Sequence, residues 1–347
     1  MSTLHPLNLN PKKKNSIPSY SIIVPVYNRP GETAELLDSL TKQTYTDFEV
    51  IIVEDGSSIK AQSVVNGYMD KLNISYFYKD NTGPGPSRNY GMEKATGNFF
   101  IILDSDVILP PEYLQAIDTF LNKKPVDAFG GPDKALDTFT PLQKAIDFAM
   151  TSFLTTGGIR GKAEKLEKFH PRSFNMGISR KVFNKTKGFS TMRFGEDIDL
   201  SIRIMKAGFK TALIKDGYVY HKRRNTLKQF FKQIYNSGIA RINLYKKYPD
   251  SLKVVHFFPL LFSFGLLSSI ILILLHFPYL FYLYLIYFLT IFLVSSLKYK
   301  SLKTGFFSVI TSFIMLFAYA LGFIKAFWKR IILKKEEFSA FEKNFYQ

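Results

Sequence analysis

The stretch FFIILDSD, residues 99–106, joins an uninterrupted apolar run to two carboxylates. An apolar run of this length, with isoleucines at its centre, predicts a buried β-strand that ends at Leu103. Asp104 and Asp106 follow two positions apart, and side chains at that spacing in an extended chain point to the same side. Two such carboxylates can share a hard cation. Considered alone, the stretch is equally compatible with a solvated strand end whose acids favour a turn.

Further apolar runs and helical patterns precede this stretch. The predicted strands are Ile22–Val26, Val50–Val53, Ile74–Tyr78 and Phe99–Leu103, and the predicted helices are Glu32–Lys42, Ala61–Lys71 and Ser87–Ala95. This alternation predicts an α/β fold, Rossmann-like, with a mainly parallel sheet and flanking helices. Residues 127–220 have a more mixed pattern, with a helix at Asp197–Ala207, and are expected to form the acceptor half of the same domain. Ligands of such sheets bind beyond the carboxyl ends of the strands.

Polar residues follow the first two predicted strands, where such a ligand would bind. The segments are VPVYNR, residues 24–29, and VEDGS, residues 53–57. A third segment, NTGPGPSRN at residues 81–89, is a Gly/Pro loop that leads into a helix. Free backbone N–H groups at a helix start bind anions, and Arg88 there could contact phosphates or a base. An ordinary turn with Ser87 as the N-cap is the alternative interpretation of this loop.

A second acidic cluster, Glu196, Asp197 and Asp199, begins the helix predicted after Gly195. Acids in a first helical turn ordinarily complement the helix dipole, and we interpret Asp199 in this way. Glu196 and Asp197 are candidates for a different role if the helix start faces the pocket. An ionised carboxylate within hydrogen-bond reach of an acceptor hydroxyl can remove its proton as the hydroxyl attacks.

In this order, the segments resemble those of glycosyltransferase family 2, inverting enzymes of the GT-A fold, over roughly Ser21 to Pro249. The resemblance implies transfer of a hexose-type sugar from a nucleotide-diphosphate sugar to a hydroxyl, and we expect a UDP-sugar ahead of a GDP-sugar. The implied nucleotide-sugar ligands are Pro25, Tyr27, Asn28, Asp55, Arg88 and Asp104.

The same resemblance implies a metal and a base. A divalent cation, Mg²⁺ or Mn²⁺, would bind Asp106, with Asp104 and His221 as further candidate ligands. For His221, an exposed position at the start of a basic segment is an equal alternative. Asp197 resembles the family's catalytic base, and Glu196 is expected to support it.

Departures from the family pattern limit the function. Processive members carry a Gln-x-x-Arg-Trp motif, but here Asn236 and Ser237 occupy the Arg and Trp positions after Gln233. This argues against processive polymer synthesis. Residues 104–112, DSDVILPPE, share a Pro-Pro-Glu ending with polyprenyl-phosphate sugar synthases, which are the nearest alternative, although the Glu-Asp helix start favours a hydroxyl acceptor. A nucleotidyltransferase and a non-catalytic membrane scaffold are more distant alternatives.

The 347 residues carry a formal net charge of +18 and contain no Cys. The chain therefore has no disulfide, no thiolate nucleophile and no Cys-ligated metal. The charge suits an anionic partner such as a nucleotide diphosphate or anionic lipid. We do not expect nucleic acid as a partner, because the excess basic residues flank apolar segments rather than a stacking surface. Residues 1–19 lack the apolar core of a signal peptide and are expected to be a flexible tail before a domain at 20–220.

The last third of the chain points to a membrane. Residues 221–253 contain nine Lys or Arg and one acid, with apolar residues at near-helical spacing. This predicts a basic amphipathic region on an anionic membrane surface. Residues 254–297 carry no charge, and this length is twice the roughly 20 residues that one crossing needs. We predict transmembrane helices within 254–327, at about 254–275, 279–297 and 304–324, and then a basic tail, 328–347.

Orientation follows from the basic residues. The positive-inside rule places the basic region before Val254 and the loop with Lys298, Lys300 and Lys303 in the cytoplasm. We therefore expect a multi-pass protein of the inner cell membrane with a cytoplasmic catalytic domain. Three full crossings would put the basic tail outside, against the rule, so the side of the tail stays open. The membrane position favours a lipid-linked acceptor in cell-surface glycan or glycolipid synthesis.

Overall fold

The structure is a computed structural model that describes residues 19–136, 138–156 and 169–336. The chain divides into two compact units. We call residues 19–134 and 169–221 the sheet unit, and the described residues of 135–156 and 222–336 the helical unit. Most of the predicted N-terminal tail, 1–18, and the end of the predicted C-terminal tail, 337–347, lie outside the described residues.

The secondary structure confirms the predicted α/β class. The strands are β1 (Tyr20–Val26), β2 (Phe48–Asp55), β3 (Ile74–Lys79), β4 (Phe99–Leu103), β5 (Val107–Ile108), β6 (Ala128–Gly130), β7 (Asp133–Lys134), β8 (Asn175–Ser179), β9 (Thr211–Leu213) and β10 (Val219–His221). The α-helices are α1 (Pro30–Thr41), α2 (Gln62–Asn66), α3 (Pro84–Lys94), α4 (Tyr113–Lys123), α5 (Pro141–Thr151), α6 (Phe153–Thr156), α7 (Arg180–Thr186), α8 (Glu196–Lys206), α9 (Leu227–Lys247), α10 (Phe258–Leu274), α11 (Tyr279–Tyr299) and α12 (Leu302–Phe327).

The sheet unit holds a mainly parallel sheet. Its seven strands have the order β3-β2-β1-β4-β8-β6-β9, and a three-stranded sheet has the order β5-β10-β7. The first four strands of the larger sheet are parallel, and β8 is antiparallel to both of its neighbours. These four parallel strands are the four that the apolar runs predicted. The predicted helix at Ala61–Lys71 is shorter than expected, because α2 ends at Asn66 and Gly67 follows.

Both faces of the central strands are buried, as in parallel sheets covered by helices. On β1, Ile22 and Val24 pack in one cluster with Leu36 and Leu37 of α1. Ile23, on the opposite face, belongs to a second cluster that includes helices α3 and α8. At Gly91, α3 approaches β1 so closely that a Cβ would lie 2.6 Å from an Ile23 methyl carbon. This contact fixes α3 beside the strands whose ends form the candidate site.

The helical unit combines α5 and α6 with the C-terminal helices. The sequence analysis placed residues 135–156 inside the domain 20–220, but in the structure they group with the helices after 222. Ile146 and Ala149 of α5 are buried with Ile234 of α9 and Ala318 of α12. The apolar face of α5 finds these partners far away in the chain, so no local change of composition marks the boundary.

Three helical segments of the described chain are long and apolar enough to cross a membrane. They are Val254–Leu274, Tyr279–Tyr299 and Leu302–Ile332. Their positions correspond to the three apolar segments predicted from the sequence. The chain turns between the first two at His276, which has a left-handed φ of 64°, within the turn predicted there.

Candidate functional site

Three loops meet at one edge of the larger sheet. The strands β1, β2 and β4 are parallel neighbours, so the residues that follow them lie side by side. Pro25 lies near the end of β1 and Tyr27 directly after it. Asn28 links the first two loops: its backbone N–H donates to Ser57 Oγ at 2.8 Å, and its side-chain oxygen accepts from the Ile59 N–H at 2.9 Å. Asn28 has a φ of 53°, a left-handed conformation that Asn tolerates better than most residues.

Asp55 holds the Gly/Pro loop. Its buried carboxylate accepts from the backbone N–H of Thr82 at 2.9 Å and of Gly83 at 2.8 Å. Lys79 Nζ lies 2.7 Å from the same carboxylate. The side chain is 1% exposed, and these donors surround it. Asp55 therefore positions the loop in this structure, and its contact with a nucleotide base stays a prediction.

Asp104, Asp106 and His221 form a cluster that could hold a metal ion. One ligand atom from each lies within 4.8 Å of the others. The register of the smaller sheet explains the meeting, because His221 of β10 pairs with Val107 of β5, the residue after Asp106. His221 Nε2 is 3.2 Å from Asp106 Oδ1, and the imidazole stacks on Phe174 with ring centroids 5.0 Å apart. Carboxylate oxygens suit Mg²⁺ and Mn²⁺, and imidazole is a ligand of transition metals.

Arg29 reaches the same cluster, which the sequence analysis did not foresee. Its guanidinium forms an ion pair with Asp106. Burial lowers the pKa of Arg29, but the attraction of Asp106, to which it is also hydrogen-bonded, and of Glu32 and Asp104 together raises the pKa above its usual value. Arg29 stands immediately before α1, at the end of the VPVYNR segment. The sequence did contain a signal: a basic residue follows one predicted strand, and two carboxylates follow another strand of the same predicted sheet.

Arg88 connects the candidate metal-binding cluster of Asp104, Asp106 and His221 to the start of α8. One guanidinium nitrogen lies 2.7 Å from Asp104 Oδ1, and another lies 3.2 Å from Glu196 Oε1. The side chain is 4% exposed, and its guanidinium lies over the ring of Phe189. The structure thus brings together Arg88, Asp104 and Glu196, which are far apart in the sequence. Arg88 binds carboxylates in this arrangement, and its contact with phosphates stays a prediction.

The start of α8 faces this site with Glu196 and Asp197. Burial, and next the negative charge of Asp197, raise the pKa of Glu196 to about 7, although Arg88 opposes the shift. Asp197 lies in an ion pair with Arg172, whose Nε is 2.7 Å from Asp197 Oδ2. Asp199 turns away into the core and pairs with Arg203 at 2.8 Å. The ion pair gives Asp199 a structural role within α8.

Arg172 is a second residue that sequence reasoning missed. It lies in a tight turn in which its backbone oxygen accepts from the Asn175 N–H at 3.0 Å. This turn leads into β8, which pairs with β4 and so brings Arg172 to the edge that carries Asp104. Arg172 stands in none of the quoted motifs, and only strand pairing places it beside Asp197.

The chain is similar to known proteins in sequence and in fold. Residues 21–187 match the model of the family Glycosyl transferase family 2. An uncharacterized glycosyltransferase of Rickettsia typhi is 39% identical over 112 residues, which are 32% of this chain and 35% of that protein. Poly(ribitol-phosphate) beta-N-acetylglucosaminyltransferase TarS of Staphylococcus aureus is 37% identical over 108 residues, 30% of this chain and 19% of TarS. The match thus spans about a third or less of these relatives.

A solved structure extends the likeness beyond the matched segment. Mannosyltransferase PcManGT from Pyrobaculum calidifontis, in complex with GDP-Man and Mn²⁺, superposes with a TM-score of 0.59 at 17% identity. The alignment covers 91% of this chain and 89% of that chain. At this identity the likeness shows the fold, and it confirms the GT-A architecture followed by C-terminal helices.

Proposed function

We propose that the protein transfers a sugar from a nucleotide-diphosphate sugar to an acceptor hydroxyl with inversion, because residues 21–187 match the model of glycosyl transferase family 2. One observation carries the proposal: Arg88 joins Asp104, in the candidate metal cluster, to Glu196, beside the candidate base. A transferase needs both halves, because one must bind the leaving diphosphate and the other must activate the acceptor.

Asp197 is the proposed base. It lies in the first turn of α8, where its side chain is largely buried, and one of its carboxylate oxygens accepts from the backbone N–H of Ile198 at 2.8 Å. Arg172 holds the other oxygen, so the carboxylate keeps a defined orientation. An acceptor hydroxyl that binds beside it can give up its proton as it attacks the anomeric carbon. A single attack on the face opposite the leaving group inverts the configuration.

Asp106, Asp104 and His221 are the residues that would hold a divalent cation. When bound, the cation would neutralise charge that develops on the diphosphate leaving group. Arg29 and Arg88 add fixed positive charge around the same position, and such preorganised charge stabilises a departing anion. The proposed cation is Mg²⁺ or Mn²⁺.

The helical unit supports a membrane-bound transferase with a lipid-linked acceptor. Its three apolar segments are candidate spans, and an enzyme at the bilayer surface meets lipid-linked substrates by diffusion in two dimensions. We propose an inner-membrane location with the sheet unit in the cytoplasm, because Lys and Arg flank the apolar segments. The proposed product is an intermediate of cell-surface glycan or glycolipid synthesis.

The test is a transfer assay with the purified full chain in lipid nanodiscs. Donors are UDP-glucose, UDP-galactose, UDP-N-acetylglucosamine and GDP-mannose. This panel also tests the expectation that the protein uses a UDP-sugar rather than a GDP-sugar. Acceptors are dodecyl β-glucoside, which offers hydroxyls, and polyprenyl phosphate, which offers a phosphate. We expect transfer to the glycoside, a β-linked product from an α-linked donor, and loss of activity in Asp197→Asn and Asp106→Ala.

The control is Asp38→Asn, which removes an exposed carboxylate paired with Lys42 on the surface. It should retain full activity. Full activity of both site variants would overturn the proposal. Transfer confined to polyprenyl phosphate and insensitive to Asp197→Asn would assign the protein instead to the sugar-phosphate synthases, because a phosphate acceptor needs no base.

A further inference from the structure

The third apolar segment differs from the other two in its surroundings. In the most apolar window of the first and second segments, 11% of the residues are buried, whereas the share is 44% in the third. Most of the surface of the first two segments is thus not covered by the rest of the protein. The third, built on α12, has buried residues along its whole length, from Thr304 to Ala326, and α9 is the helix of the same unit that covers it most.

The covering helix is α9, which runs beside α12 in the same direction. Ile234 is buried with Ala318, and Ile242 is buried further along with Phe323. Near the ends of this contact, Arg330 Nε donates to Asn243 Oδ1 at 3.1 Å. The two helices therefore remain in contact over most of the length of α9.

The backbones of α9 and α12 touch where two glycines meet. A Cβ on Gly238 of α9 would lie 2.3 Å from the Tyr319 carbonyl oxygen. A Cβ on Gly322 of α12 would lie 2.0 Å from the Tyr235 carbonyl oxygen. Contact this close makes α9 and α12 one rigid pair, so wherever α12 lies in the membrane, α9 lies beside it.

The composition of α9 makes a position in the bilayer core unfavourable for this helix. The helix carries five basic residues and no acid, and amide or hydroxyl side chains occupy much of its middle. Lys228, Lys232, Lys246 and Lys247 are exposed, from the first turn to the last. If α12 crossed the bilayer, these charges would be carried across its core, which is costly. A basic amphipathic helix is stable instead at the interface, with its charges among lipid phosphates.

We infer that α12 does not cross the membrane but lies with α9 along the interface, so that the chain after α12 is on the same side as the loop between α11 and α12. The apolar hairpin of α10 and α11 enters the bilayer from this surface and returns to it. This arrangement also removes a conflict in the sequence. Lys303 in the first turn of α12 and Lys329, Arg330, Lys334 and Lys335 after the helix then lie on one side, as the positive-inside rule requires.

The absence of Cys from the natural sequence allows a direct test. Lys303→Cys and Glu336→Cys each place one thiol at an exposed position, the first in the first turn of α12 and the second after its end. The full chain is expressed in bacteria and treated with a membrane-impermeant maleimide, first on intact spheroplasts and then after lysis. We expect the two variants to label in the same compartment. Labelling of Glu336→Cys in one compartment and of Lys303→Cys in the other would overturn the inference.

A second experiment measures how deeply α12 itself lies in the membrane. Phe306, Phe317 and Ile324 lie on nearly one face of the helix by their spacing. Each is replaced by Cys in turn and spin-labelled in nanodiscs, and its accessibility to oxygen and to a polar nickel complex is compared. An interfacial helix gives similar depths at the three positions. A marked maximum of depth at Phe317, with shallow values at the other two, contradicts the inference.

Discussion

Asp147 of α5 and Arg223 form a buried ion pair in the helical unit, with Arg223 Nη2 2.7 Å from Asp147 Oδ1. The Tyr299 hydroxyl, at the end of α11, donates to the other carboxylate oxygen at 3.0 Å. Three distant segments of the chain are thereby joined. Arg223→Ala would leave a buried carboxylate without its cation, and we expect a loss of about 3–5 kcal/mol in unfolding free energy. Thermal unfolding in detergent would measure the effect.

The neighbouring Arg224 provides the matched control for this prediction. Arg224 is half-buried, and Arg224→Ala removes the same charge without touching Asp147. Tyr299→Phe removes only one hydrogen bond and should cost about 1 kcal/mol. Equal unfolding temperatures for Arg223→Ala and Arg224→Ala would contradict the importance of the pair.

Removal of a candidate metal ligand and removal of Arg29 are expected to have opposite effects on metal affinity. Asp106→Asn and His221→Ala remove candidate ligands and should weaken Mn²⁺ binding by roughly tenfold or more. Arg29→Gln should strengthen it, because the guanidinium on Asp106 competes with a cation for the same carboxylate. Titration calorimetry without nucleotide would measure all three. Lys42→Gln, an equal loss of charge on the exposed face of α1, is the control, and weaker binding in Arg29→Gln would contradict the competition.

The raised pKa of Glu196 predicts a specific pH dependence of the stability of the folded chain. Its pKa is raised from 4.5 to about 7 in the folded chain, chiefly by burial. The folded state thus holds a proton that the unfolded state releases, so this contribution to stability is complete below about pH 4.5 and is lost as the pH rises through 7. Glu196→Gln lacks the titration. We expect the unfolding temperature of the chelator-treated wild type to fall relative to that of the variant between these pH values. Parallel curves would exclude the shift.

Asp55 should be needed for the Gly/Pro loop before any nucleotide binds. Asp55→Asn leaves Lys79 without its anion and places an amide among backbone donors, so we expect a loss of roughly 3 kcal/mol in unfolding free energy. Proteolysis of the native protein should then cut within residues 81–86 more quickly. Asp80→Asn, at the exposed neighbouring acid, is the control. An unchanged cutting rate in Asp55→Asn would show that the loop is held in some other way.

The sequence predicted those parts of the site that depend on local pattern. An apolar run followed by carboxylates located the end of β4, and an acidic helix start located Asp197. It could not predict the partners of these acids, because pairing of β8 with β4 brings Arg172, and pairing of β10 with β5 brings His221. His221 was named only through family resemblance. Register between distant strands decides such neighbours, and it leaves no trace in the spacing of residues along the chain.

The position of α5 between β7 and β8 affects how the chain folds during its synthesis. Its buried face needs Ile234 and Ala318, which leave the ribosome long after the strands on either side of it. Until then this apolar face lacks its partners, and exposed apolar surface of this kind makes a partly folded chain prone to aggregation. A soluble fragment that ends at His221 would keep this helix without its partners. Shortening the chain to its sheet unit therefore requires removal of the segment that contains α5 and α6, not only of the C-terminal helices.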